Sequence, residues 1–208
     1  MENTKKLKIY LGISYIILIS VFLYFFFSKY SLQELSSYEF IKNNVHYFSN
    51  LKNKNYYILL ALFFVFVIIW VLLLGFGSPV ALASGFIFGK WIGTIIIATS
   101  LSVGSLFLYL IANFFFKDLV QQKFGDKMIF LKKLFKKNEF LYFLIYRFIG
   151  GLPFFIHNTL PVIFNVKLTN YFFGTLIGMI PQLFIMVSIG SGLEKIIKEN
   201  TSPPSFFE

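Results

Sequence analysis

The chain holds one arginine, Arg147, set in an apolar stretch between Tyr146 and Phe148. A guanidinium is a planar fork of donors, suited to gripping phosphate or carboxylate oxygens through paired bonds. No carboxylate shares that setting, because all nine Asp and Glu residues fall in the termini or in polar connectors. The partners left for Arg147 are backbone carbonyls, Asn158, Gln182, water or a lipid phosphate. Two readings stand side by side: a phosphate ligand, or an arginine that snorkels to the interface or clamps the carbonyls of a turn. His157 and Asn158 follow Pro153-Phe154-Phe155, which places them near the tip of a turn, where capping turn carbonyls competes with lining a path. Ser102, Ser105 and Gln182 are further polar groups inside apolar segments that could wet such a path.

The same inventory excludes several chemistries. Proton relays, ion coupling and metal-dependent lipid chemistry draw on an acidic residue embedded at membrane depth, and none is present. Two histidines, His46 in a connector and His157, are too few for a metal cluster, and the absence of cysteine removes thiol catalysis and disulfides. The expectation is a protein that is not an enzyme and that uses no metal and no cofactor. A formal charge of +10 would suit nucleic acid, but the lysines sit in short connectors between apolar spans. Anionic lipid is the nearer partner there, and nucleic acid is not expected.

The elements that must hold these residues are membrane helices. With 57% hydrophobic and 13% charged residues, the chain cannot hide its apolar surface as one soluble domain. Four apolar runs, 9–27, 56–74, 94–116 and 171–193, have about the length that crosses a hydrocarbon core of roughly 30 Å. Residues 31–55 read as an amphipathic interfacial helix, 117–139 as a basic amphipathic connector with seven lysines, and 194–208 as a flexible tail. Positive-inside counting favours the two connectors in the cytoplasm, against the pull of Lys5, Lys6 and Lys8. This divides the chain into 1–55, a membrane domain over 56–193, and the tail 194–208.

Between the spans lie two apolar stretches broken by proline and glycine, about 76–93 and 140–168. Each is expected to dip into the membrane as a re-entrant hairpin, and such backbone is tolerated only where protein or a wet cavity satisfies its polar groups. Pro79 and Pro153 open the turns, Gly85 and Gly89 allow a tight turn and close helix contact, and Gly174, Gly178 and Pro181 shape the last span. Hairpin plus helix occurs twice, with Gly77-Ser78-Pro79 leading to Gly93-Thr94 and Gly151-Leu152-Pro153 leading to Gly174-Thr175. An odd number of spans between them sets the hairpins on opposite faces, giving an all-α inverted repeat.

At these residues the chain resembles the VTT-domain proteins of the SNARE-associated Golgi protein and DedA superfamily. The resemblance runs from about Gly77 to Leu193. It is carried by Pro79 with Gly85-Phe86-Ile87-Phe88-Gly89, Gly93 and Gly104, then by Arg147, Pro153-Phe154, Asn158, Gly174-Thr175, Gly178, Pro181 and Ser188-Ile189-Gly190-Ser191-Gly192. Gly75 and Gly77 occupy the neighbourhood where DedA-type members carry an acidic residue, so the likeness is to the broader, non-DedA branch, without proton coupling. Gly150, Asn165 and Asn113 also depart from the family pattern. The resemblance implies a multi-pass protein of a bacterial inner membrane that moves phospholipid or polyprenyl-phosphate headgroups between leaflets. A non-transporting scaffold and a small-solute transporter are the alternatives.

Overall fold

The computed structural model describes residues 2–29, 54–124, 129–149 and 151–198. The amphipathic helix expected over 31–55 lies outside them except for its last two residues, as does the tail from 199. Among the described residues every regular element is helical: α1 (Glu2–Lys29), α2 (Tyr56–Leu72), α3 (Gly77–Phe88), α4 (Lys90–Phe124), α5 (Ile129–Lys137), α6 (Glu139–Ile149), α7 (Phe154–Thr159), a 3-10 turn over Leu160–Phe164, and α8 (Leu168–Lys198).

The chain is an all-α membrane protein. Within α4 and α8, Lys90–Asp118 and Leu168–Ile196 are long and apolar enough to cross a bilayer. The apolar helix α2 has 17 residues, at the short end of the roughly 17–25 that suffice. Large apolar side chains such as Ile58, Leu62, Ile95, Phe173 and Ile185 are exposed on these helices, as expected of surfaces whose solvent is hydrocarbon. Both expected interruptions are present as helices too short to cross. At about 1.5 Å per residue, the 12-residue α3 spans about 18 Å, and α6 and α7 are shorter still.

The short α3 is wedged between α4 and α8, where Val80, Ala81, Ile87 and Phe88 meet Ile97, Leu101, Leu183 and Val187 in one buried cluster. Lipid tails are as apolar as leucine, so helices in a membrane associate through close packing rather than through exclusion of water. Gly85 and Gly190 allow that packing reciprocally. A Cβ on Gly85 would fall on the Val187 carbonyl oxygen, and one on Gly190 on the Leu82 carbonyl oxygen. The two roles expected of Gly85 and Gly89 are thus divided: Gly85 serves the crossing in mid-helix, while Gly89 makes the turn, with φ 76° and ψ 174°, a conformation essentially confined to glycine.

Hydrogen bonds close several of the breaks among the described residues. Where α2 ends, Gly75 N–H reaches the Trp70 carbonyl and Leu74 N–H the Val71 carbonyl, a Schellman pattern that normally places glycine where Leu74 stands at φ 59°. The Trp70 indole donates to the Phe76 carbonyl at 2.8 Å and the Tyr15 hydroxyl to that of Leu72. Ser84 Oγ holds the Gly93 carbonyl at 2.8 Å across the α3–α4 turn. Over the second interruption, tyrosine hydroxyls from three helices serve the carbonyls of His157, Asn158 and Val166. Backbone groups freed from helix ladders at membrane depth need such partners.

The connector 117–139 is not wholly a surface helix. Its first residues extend α4 to Phe124, and Glu139 opens α6, where its Oε1 accepts from Lys167 N–H at 2.8 Å and Asn170 Nδ2 at 2.7 Å. That carboxylate caps the start of α8, where free N–H groups favour negative charge. Lys117 Nζ likewise donates to Asn165 Oδ1 at 2.6 Å, holding the residue whose left-handed φ of 52° ends the 3-10 turn.

Candidate functional site

Arg147 sits on the inner face of α6, one helical turn after Phe143, and both are fully buried. The four-residue spacing of Gly174 and Gly178 on α8 matches theirs. A Cβ on Gly174 would stand 2.6 Å from the Phe143 ring, and one on Gly178 2.7 Å from Arg147 Cβ. The glycine pair is therefore the seat of α6. Small residues let the helices approach until the arginine stem lies against backbone.

The guanidinium is held by little else. Nη1 donates to Asn158 Oδ1 at 2.8 Å, and the ring centroids of Tyr171 and Phe143 lie 4.9 and 5.2 Å from the guanidinium carbon. Cation–π contacts of this kind contribute about 0.5–2 kcal/mol each, more when desolvated. Nε and Nη2 are buried without an acceptor in hydrogen-bond geometry, as is the Asn158 side-chain nitrogen. Each buried donor left unpaired costs about 1–3 kcal/mol, and more when charged. An anion in reach of these donors would supply acceptors for them.

The scaffold around the pair is aromatic. Tyr171 hydroxyl donates to the Asn158 carbonyl at 2.8 Å, and Tyr109, stacked on Tyr171 at 4.5 Å, donates to the Val166 carbonyl at 2.7 Å. Tyr146 and His157 are linked twice: the tyrosine hydroxyl donates to the His157 carbonyl at 3.1 Å, and His157 Nε2 donates to the Tyr146 carbonyl at 2.9 Å. These bonds tie α7 to α6 and α8. They fix where Asn158 presents its amide to Arg147.

Arg147 lines a cavity of about 250 Å³ together with Ser78, His157, Gln182 and the apolar side chains of Phe154 and Met186. Phe76, Gly77 and Ser78, the cap and first turn of α3, form another wall. The N–H groups of a helix's first turn have no intrahelical acceptor and carry partial positive charge. No Asp or Glu is among the described lining residues.

Arg147, Asn158, His157 and Gln182 are thus gathered in one region, with two differences from expectation. His157 and Asn158 are not at the turn, which is made by Gly151 at φ 83° with Leu152 and Pro153. They lie within α7, where Asn158 serves the guanidinium rather than turn carbonyls. Ser102 and Ser105 are buried in α4 away from this cavity; Ser102 Oγ donates to its own helix at the Ala98 carbonyl, 2.6 Å away, and Ser105 Oγ has no partner. Pro79 and Pro181 are exposed, and Pro181 lies inside α8 beside Gln182. Sequence reasoning passed over Phe143, Tyr171 and Tyr109. The signal that pointed to two of them was the common four-residue step of Phe143–Arg147 and Gly174–Gly178, with Tyr171 one turn before the glycines.

Similarity to known proteins places the chain. It is 25% identical over 155 residues to a Transmembrane protein 41 homolog of Caenorhabditis elegans, covering 71% of this chain and 62% of that protein. A Transmembrane protein 41 homolog of Dictyostelium discoideum is 29% identical over 155 residues, 71% of this chain and 46% of its own. The Uncharacterized protein YqeD of Bacillus subtilis is 27% identical over 114 residues, 54% of this chain and 55% of that one. The chain spans about half to three fifths of the length of these curated relatives. No solved structure matches it. The model of the VTT domain covers residues 75–192, from the turn before α3 into the last turns of α8, which is more than half of the chain and contains the whole of the Arg147 site; the protein belongs to the VTT-domain family.

Proposed function

We propose that this protein moves phosphate-bearing lipids, phospholipid or polyprenyl phosphate, between the leaflets of a bacterial cell membrane, and that Arg147 is the headgroup ligand. The reading is carried by one observation: the only arginine of the chain is fully buried, with Nε and Nη2 unpaired, beside a cavity that also receives the first turn of α3. Phosphate oxygens match both halves of that arrangement, paired bonds to the guanidinium and single bonds to helix-end N–H groups. The short α3 and the α6–α7 pair act as re-entrant segments that thin the barrier, and the acyl tails stay in lipid while only the headgroup crosses. Transport rather than catalysis fits a cavity with no carboxylate among its described lining residues. Family membership and the likeness to a Bacillus protein support the membrane setting.

The test is dithionite quenching of fluorescent phospholipid in proteoliposomes. Quenching well beyond half is expected with the wild-type protein, and Arg147→Gln should slow exchange at least about tenfold if one charge-assisted phosphate contact of about 1.4 kcal/mol or more is lost. A plateau at the protein-free level, or equal rates in wild type and variant, would overturn the reading.

A further inference from the structure

A second and larger chamber, about 740 Å³ and open on its outer side, shares Phe76 with the Arg147 cavity. It is bounded by Ser20, Tyr24 and Ser28 of α1, by Trp70, Leu74, Gly75 and Phe76 at the α2–α3 turn, and by Phe155. Phe76 is a wall of both chambers, and the neighbours Phe154 and Phe155 face one each, Phe154 the polar and Phe155 the apolar. The volume is that of sites that hold a whole small ligand, roughly 300–1,000 Å³. Its lining is overwhelmingly apolar. Ser20 spends its hydroxyl on the Ile16 carbonyl of its own helix at 2.9 Å, and the Trp70 indole N–H is turned onto the Phe76 carbonyl.

The wall is built against local preference. Leu74 holds a left-handed φ of 59° where a Schellman turn ordinarily has glycine, and a Cβ on Gly75 would run into the Trp70 indole. Such strain collects at functional sites because the surrounding structure must hold it. We propose that this chamber binds one hydrocarbon chain of the same lipid whose phosphate Arg147 holds, with Phe76 lying between headgroup and chain. The inference rests on the phosphate reading of Arg147 and deepens it. The occupant is hydrocarbon because the lining leaves it few polar partners, and it belongs to the headgroup's own lipid because the two chambers share Phe76 and take one each of the neighbours Phe154 and Phe155. The site therefore selects lipids that present a phosphate and a chain together.

Two readouts separate this inference from the reading beneath it. The first uses phosphatidylglycerol with a diazirine at one chain terminus, doped into phosphatidylcholine vesicles containing the full chain. Cross-links are expected to concentrate on Leu74, Phe76 and Phe155 over the more exposed Ile58 and Leu62 of α2. Ser20→Trp, which fills the chamber from a membrane-exposed position, should lower that yield at least about tenfold, as loss of a buried chain segment implies. The second uses selective 15N-arginine labelling, where the single arginine gives one side-chain Nε–Hε signal, titrated with glycerol phosphate, which has no chain. A shift in both wild type and Ser20→Trp, with cross-links confined to the chamber in wild type, supports the proposal. Cross-links spread evenly over exposed helix faces, with the arginine signal still responding, overturn the chain site and leave the phosphate reading standing. An arginine signal unmoved by glycerol phosphate overturns both. Loss of the signal response in Ser20→Trp would mean that the variant disturbs the fold; Ser28→Trp, further along the same wall, then decides by the same criteria.

Discussion

Arg147 shows how a buried charge can be left partly unpaired and still be held. Its stem rests in the notch over Gly178, two rings face its guanidinium carbon, and Asn158 takes one of its donors. Asn158 is itself aimed by Tyr171, whose hydroxyl holds the Asn158 carbonyl. Removing the amide acceptor by Asn158→Leu should cost about 2 kcal/mol, the range for a hydrogen bond to a charged group. Tyr171→Phe should cost about 1 kcal/mol, the worth of a typical neutral bond. Thermal unfolding in a fixed detergent would order the two variants, and the reverse order would show that the tyrosine, not the asparagine, carries the site. That Asn158 stood among the candidate partners of Arg147, beside backbone carbonyls, Gln182, water and lipid phosphate, was legible from the sequence, since no embedded carboxylate offered itself. The distance of Ser102 and Ser105 from the cavity was not legible, because a serine on a long helix gives no sign of which neighbour it faces until the helices are packed.

For the helices, the decisive residues are those that set distance of approach. Gly85→Ala would place a methyl group on the Val187 carbonyl, where backbone rather than a flexible side chain must yield. The expected cost is at the top of the overpacking range, about 3 kcal/mol. Gly192→Ala meets nothing within 4 Å and should be within about 0.5 kcal/mol of wild type, as for surface changes in general. Gly89→Ala also meets no atom, yet it should cost about 1–3 kcal/mol because its φ and ψ are strained for any side chain. Measured together, the three separate steric contact from backbone conformation; equal losses would refute that distinction. The breaks themselves were visible in the sequence through Gly77-Ser78-Pro79 and Gly151-Leu152-Pro153. Which glycine turned the chain and which allowed a crossing was not visible, because both uses ask only for the absence of a Cβ.

Across the protein, charge and apolar surface are segregated. α5 carries Lys132, Lys133, Lys136 and Lys137, while Ile129 and Phe130 stay exposed and Phe135 stacks on Phe164 at 4.4 Å. A helix so divided suits the plane of a membrane surface, where each lysine gains about 1 kcal/mol from anionic lipid. Replacing all four lysines by glutamine should leave lipid exchange unchanged in neutral vesicles and remove any acceleration by anionic lipid in the host bilayer. Loss of exchange in both kinds of vesicle, with Arg147→Lys fully active, would favour a scaffold reading over transport.

Composition and pattern were enough to establish an all-helical membrane protein and its two interruptions, because each follows from what hydrocarbon forbids: unpaired backbone and helices too short to cross. They were also enough to carry the resemblance that the family match then bore out. Packing alone decided the rest. It seated Phe143 and Arg147 on Gly174 and Gly178, drew Tyr109 and Tyr171 over the second interruption, turned Glu139 from a connector carboxylate into the cap of α8, and gave two chambers Phe76 as a common wall. These are contacts between residues tens of positions apart, and a linear pattern records the face on which a side chain lies but not the surface that comes to meet it.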